Sequence, residues 1–210
     1  IFNCLLTIPK FSNKNSLDLK YKLFSLKIKK NLWEINRIKN NEDNFYRISD
    51  LDFGHTFFFI ASENEIKNFF NSNELYNYNT VTDTEPAFRA NLKIFIKNGG
   101  FSSYQSEYPF GMVMGKGNII SPIFPLNQKN ANNYLYFANI YYKPIHKKFH
   151  LHFIDYKKKI IVCSKVVFTN KVNEIKIDNN LINKNIYIVS DQFLGIPVFV
   201  NEKNKFLSCE

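Results

Sequence analysis

Residues 88–97 alternate between two characters at every position but Phe95. Phe88, Ala90, Leu92, Ile94 and Ile96 fall on one parity, and Arg89, Asn91, Lys93 and Lys97 on the other. Successive side chains of an extended chain point to opposite faces, so this pattern marks a half-buried strand. Asn98-Gly99-Gly100 follows at once, a turn signal able to supply the positive φ of a tight hairpin. A second hairpin reads as clearly. Phe149, Leu151 and Phe153 alternate with His150 and His152, Asp155-Tyr156-Lys157-Lys158 makes the turn, and a return strand runs from Ile160 through Val162, Ser164 and Val166 to Phe168. This reading places Phe149, Leu151, Phe153, Val162, Val166 and Phe168 in the core and leaves Lys157 and Lys158 in water.

Weaker segments extend the series. Residues 173–177, 186–189 and 197–200 read as strands, and residues 1–8 as an opening strand. In residues 17–28 the apolar parity changes after Leu23. A one-residue slip at Leu23-Phe24 accounts for it as a β-bulge, while Leu17, Tyr21, Phe24 and Ile28 also fit a helical stripe. One short helix is expected at residues 62–71. Ser62-Glu63-Asn64-Glu65 has capping-box spacing, and Ile66, Phe69 and Phe70 form an apolar stripe behind it.

Many short strands with one helix predict an all-β sandwich, with two sheets in a Greek-key or immunoglobulin-like arrangement as its finer form. A boundary near residue 130 would divide the chain into a β-rich part with long loops (1–130) and a hairpin module (131–210). One continuous domain is the alternative.

Composition narrows the partners. The chain of 210 residues is 45% hydrophobic and 22% charged, as expected for a globular chain rather than a disordered one. No apolar run approaches the ~20 residues that cross a bilayer. Lys and Arg exceed Asp and Glu by 28 to 18, a net charge of +10. Arginine occurs only at Arg37, Arg47 and Arg89, however, while Asn, Lys, Ile, Phe and Tyr abound, as AT-rich codons would produce. Nucleic-acid binders cluster their cations and favour Arg. These lysines are spread along the chain, which weighs against a nucleic-acid partner without excluding one. Cys4, Cys163 and Cys209 have neither disulfide-framework nor zinc-knuckle spacing, so reduced thiols and a cytoplasmic setting are the default. The chain opens on Ile1, with methionine only at Met112 and Met114. It is therefore expected to be a fragment or a processed product, and export stays open.

Few constellations carry chemistry. His146, His150 and His152 share strand parity and would project from one face, a spacing that holds zinc only if a third ligand approaches; a polar outer face is the simpler expectation. Asp50, Asp52 and His55 could meet as metal or acid–base groups, but a buried strand after a glycine turn is the simpler reading, and Asp52-Phe53-Gly54 copies a kinase tripeptide without its companion motifs. Residues 111–117 fail the phosphate-loop spacing. Cys163 sits mid-strand, where a thiol has little reason to ionise. No catalytic residue, metal or cofactor is assigned.

Residues 98–109 stand out by inventory. Glycines that permit close approach are followed by Tyr104, Gln105, Glu107 and Tyr108, and Arg89 lies on the preceding strand within reach of Glu107. Aromatic faces and planar polar groups are what sugars require. The expected function is a non-enzymatic β-sandwich binding protein whose ligand is a glycan or surface polysaccharide, held by Arg89, Tyr104, Gln105, Glu107 and Tyr108, with a protein partner also open. The alternatives are a carbohydrate-active enzyme using Glu107 and a lysine-rich nucleic-acid binder.

Overall fold

The computed structural model describes residues 2–9, 21–39, 45–49, 56–64, 66, 74, 91–105, 119–122, 129–182, 185–193 and 195–209. The fold is an all-β, sandwich-like arrangement of four antiparallel sheets. An N-terminal sheet is ordered β4 (Phe45–Ser49), β1 (Asn3–Pro9), β6 (Asn91–Phe95), β7 (Phe101–Gln105). A three-stranded sheet is ordered β3 (Leu32–Arg37), β2 (Tyr21–Lys29), β5 (Thr56–Ser62). A central sheet runs β12 (Lys171–Ile177), β9 (Asn132–Asn139), β14 (Ile196–Lys203), β15 (Phe206–Cys209). An outer sheet runs β11 (Ile160–Phe168), β10 (Lys148–Asp155), β13 (Ile186–Ser190), β8 (Ile119–Pro122). Among the described residues no helix is long and apolar enough to cross a membrane.

The largest core lies between the outer and central sheets. Phe149, Leu151 and Phe153 from β10 meet Leu135 and Phe137 from β9 and Phe199 from β14, all buried. The central sheet is covered on its other face too. There Tyr134 and Val200 pack with Ile94 of β6, and Phe2, Cys4 and Leu92 close around them. The N-terminal sheet also meets the three-stranded sheet through Leu6, Ile8, Leu23, Tyr46 and Ile48. The opposite face of that small sheet takes Ile140 against Leu26 and Trp33, and the Trp33 indole N–H donates to Tyr142 O at 3.1 Å.

Several expectations are corrected. No bulge separates Leu23 from Phe24: β2 pairs in unbroken register with β3 and β5, and both its faces are buried. A bulge does occur at Val162, where Phe153 pairs with Cys163 but Ile154 pairs with Ile161. Cys163, Lys165 and Val167 therefore share the inward face of β11, and the bulged Val162 also packs against that core. Val167 is 0% exposed and Val166 is 47% exposed, so Val166 is not a core residue, while Val162 and Phe168 are only half-buried. Lys157 and Lys158 are exposed, as expected. Of the helix at 62–71, Glu63, Asn64 and Ile66 are helical, Ser62 closes β5, and the other residues lie outside the described ones.

The positive φ angles of the hairpin turns fall on asparagine and lysine. Asn98 carries the positive φ of the β6–β7 turn, and none of the described glycines has one. Gly99 and Gly100 serve close approach instead. The Gly100 N–H donates to Lys205 O at 2.7 Å, and a Cβ at Gly100 would stand 3.1 Å from that oxygen. The edge strands β7 and β15 thus meet tip to tip, which joins the N-terminal sheet to the central one along a seam.

Candidate functional site

The loop inventory of the sequence is only partly placed. Arg89, Glu107 and Tyr108 lie outside the described residues. Tyr104 and Gln105 are the last residues of β7, with their backbones opposite Leu92 and Asn91. Residues 101–105 are therefore strand rather than loop. Asp50, Asp52, His55 and residues 111–117 also fall outside the described set.

What the described structure gathers is the solvent face of the outer sheet. β10 and β13 alternate cleanly: Phe149, Leu151, Phe153 and Asp155 are buried, and His150, His152 and Ile154 are half-buried on the opposite face. Tyr187 and Val189 share that face through their pairing with Ile154 and His152. The register with β11 adds Ser164 opposite His152 and Val166 opposite His150. A floor of fully buried phenylalanine and leucine fixes this face from behind, because packed cores deform little.

Each side chain on it has a local reason for its place. The His150 ring Nδ1 lies 3.2 Å from Asp191 Oδ2, and the His150 backbone N–H donates to Asp191 Oδ1 at 2.9 Å. A carboxylate only accepts, so this ring carries its proton on Nδ1. Asp191 is held in turn because Ser190 Oγ accepts the N–H groups of Gln192 and Phe193 at 3.3 and 3.0 Å, folding the chain into a turn just past β13. His152 Nδ1 lies 2.8 Å from Ser164 Oγ. The two imidazoles lie nearly parallel, 16° apart with centroids at 6.0 Å. At the far end Asp155 Oδ1 accepts from the N–H groups of Lys157 and Lys158, which caps the β10–β11 turn and lifts Tyr156 to 63% exposure. The Tyr156 ring stands 5.3 Å from that of Tyr187.

Ser164 and His152 have nucleophile–base spacing, but Asp191 is bonded to His150 and not to His152. Hydroxyl and carboxylate therefore hold different rings, and no serine–histidine–carboxylate relay forms among the described residues. His146 Nδ1 lies 2.9 Å from Thr169 O, and no group of three or more metal-ligating residues forms among the described residues. Cys163 faces the core beside Phe153, on the sheet face opposite His150 and His152, so it pairs with neither of them. Burial pushes its thiol pKa up, with Asp178 adding to the rise and Lys165 opposing it.

The ring array was only half visible in the sequence. Parity pointed to His150 and His152, but Ser164, Tyr187 and Asp191 join them only through pairing across strands. The chain matches no protein-family model, no curated protein and no solved structure.

Proposed function

We propose that the chain is a non-enzymatic β-sandwich binding module that takes a glycan on the solvent face of its outer sheet. The observation that carries this reading is the line of rings on the solvent face of a rigid sheet: half-buried His150 and His152, nearly parallel, then half-buried Tyr187 and the protruding Tyr156. Sugar rings present C–H faces that settle on aromatic planes, and their hydroxyls need fixed donors and acceptors beside those planes. Asp191 and Ser164 are such groups, each already oriented by a histidine. Arg89, Tyr104, Gln105, Glu107 and Tyr108 remain a separate contact in the proposal, argued from sequence alone.

Glycan-array and polysaccharide pull-down measurements on wild type, Tyr156→Ala and Tyr104→Ala, each at two ionic strengths, test the reading. Stacking and neutral hydrogen bonds respond little to salt, so binding should persist at the higher ionic strength. Tyr156→Ala should weaken it about tenfold, the size of a lost ring contact. A loss confined to Tyr104→Ala would move the site to β7 and the residues after it. A steep salt slope with both variants unaffected would discard the glycan reading in favour of a polyanion.

A further inference from the structure

We infer that the paired hairpin tips at Phe101 and Phe206 form a docking surface for an anionic lipid membrane. Phe206 is 74% and Phe101 63% exposed, more than any other phenylalanine or aliphatic side chain among the described residues. They open the two edge strands of the seam, and a Cβ at Gly100 would stand 3.2 Å from Phe206 Cα. Both positions face away from the core shared by the N-terminal and central sheets. Phe101 pairs with Phe95, on the face opposite buried Ile94, and Phe206 pairs with Lys203, on the face opposite Val200 and Cys209.

One cation lies over a ring, and three more belong to the same two hairpins. The Lys93 ammonium sits 4.1 Å from the Phe101 ring centroid, Lys203 pairs with Phe206, and Lys97 and Lys205 stand exposed in the two turns. Among the described residues none of these four ammonium groups forms an ion pair. The carboxylate in the same hairpin, Glu202, is taken up by the Asn132 side-chain amide at 2.7 Å and the Lys205 N–H at 2.9 Å. Exposed apolar rings cost free energy in water and mark a contact surface. Phenylalanine offers no hydrogen bond with which to read a polar partner, and Lys93 occupies one face of the Phe101 ring that a nucleic-acid base would need. Exposed apolar rings on braced hairpin tips that also carry four ammonium groups outside any ion pair among the described residues match a surface with phosphate heads above hydrocarbon. Each lysine held near such a surface strengthens binding about fivefold.

Vesicle co-sedimentation tests this with phosphatidylcholine alone and with phosphatidylcholine containing phosphatidylserine. Wild type should sediment with the anionic vesicles and not with the neutral ones. Phe101→Ser/Phe206→Ser should lose binding at least tenfold, and Lys93→Gln/Lys203→Gln should lose it about twentyfold while flattening its salt dependence. Lys39→Gln/Lys176→Gln removes the same charge from exposed positions elsewhere and should change binding less than twofold. Unchanged melting temperatures show that the substituted positions are not structural. No sedimentation of wild type, or equal loss in the control pair, overturns the proposal. So does failure to bind vesicles with retention of single-stranded oligonucleotide through the same lysines, which would assign the patch to nucleic acid.

Discussion

Asn170 Oδ1 accepts the backbone N–H of Tyr141 at 2.6 Å. The same amide donates to Lys143 O at 2.7 Å and Ile145 O at 3.0 Å, and neighbouring Thr169 Oγ1 bonds Ile145 O and the Lys147 N–H, each at 2.8 Å. The connection between β9 and β10 has no regular structure, so these two buried side chains satisfy the polar groups that a ladder otherwise would. Asn170 also adopts φ 59°, a left-handed conformation that asparagine tolerates and alanine resists. Asn170→Ala is expected to cost about 3 kcal/mol, from stranded backbone groups and strain together. Asn170→Gly should cost less, because only the hydrogen bonds go. Urea denaturation of the two variants checks the order, and a loss below about 1 kcal/mol in Asn170→Ala would refute it.

Gly195 sits against Phe137. A Cβ there would stand 2.3 Å from Phe137 Cζ and 2.4 Å from Ala138 O. Gly195→Ala should therefore destabilise by roughly 2 kcal/mol or more. Trimming the ring with Phe137→Leu should not rescue it, since the backbone carbonyl still blocks the methyl. Full rescue in the double variant would show that the ring alone sets the limit.

The bulge at Val162 predicts an asymmetry along β11. Val167→Ala removes two buried methyl groups and should cost roughly 2 kcal/mol. Val166→Ala, on the solvent face, should stay within about 0.5 kcal/mol. Equal effects would restore the register read from alternation alone.

Tyr136 predicts the alkaline limit of stability. Burial is the main cause that holds its phenol pKa far above the ordinary range, and the 2.9 Å hydrogen bond to Glu174 and that carboxylate's charge add to it. A raised folded-state pKa leaves its stability contribution intact below the unfolded value near ~10 and removes it as pH climbs further. Stability should fall above that pH, and Tyr136→Phe should flatten the fall. Tyr141, pushed up to about 12 chiefly by burial, should also titrate late. An ultraviolet titration in which every tyrosine ionises together near pH ~10 would contradict both statements.

The cysteines should be slow nucleophiles. Burial raises the pKa of Cys4 and Cys163, and only the thiolate attacks. At neutral pH both should alkylate well below the rate of free glutathione, and unfolding in urea should remove the difference. Fast labelling of native Cys163 would mean that β11 opens readily.

How much was legible depended on how many faces of a strand are buried. β6 sends Leu92 and Ile94 into the core and β10 sends Phe149, Leu151 and Phe153, with polar residues between them, so their alternation announced them and their hairpins. β9 has Leu135 and Phe137 in one core and Tyr134 in another, and two apolar faces leave no period to detect. The same cause produced the false slip at Leu23-Phe24. The β2–β3 and β14–β15 turns were hidden for a different reason. Lys30-Asn31 and Asn204-Lys205 take positive φ at both central positions, the geometry of a type I′ turn, without the glycine that usually signals it.

The candidate face divides along the same line. Parity within one strand put His150 and His152 together, since that follows from local geometry alone. Their partners arrive from 12 and 41 residues away, at Ser164 and Asp191. The sequence by itself determined that the chain is built of short antiparallel strands, because alternation and turn residues act between neighbours. Tertiary structure decided which faces are buried twice, where the register of β11 slips, and which side chains share the open face of the outer sheet. Those outcomes depend on pairing between distant strands, and one residue of register moves every side chain to the other side of a sheet.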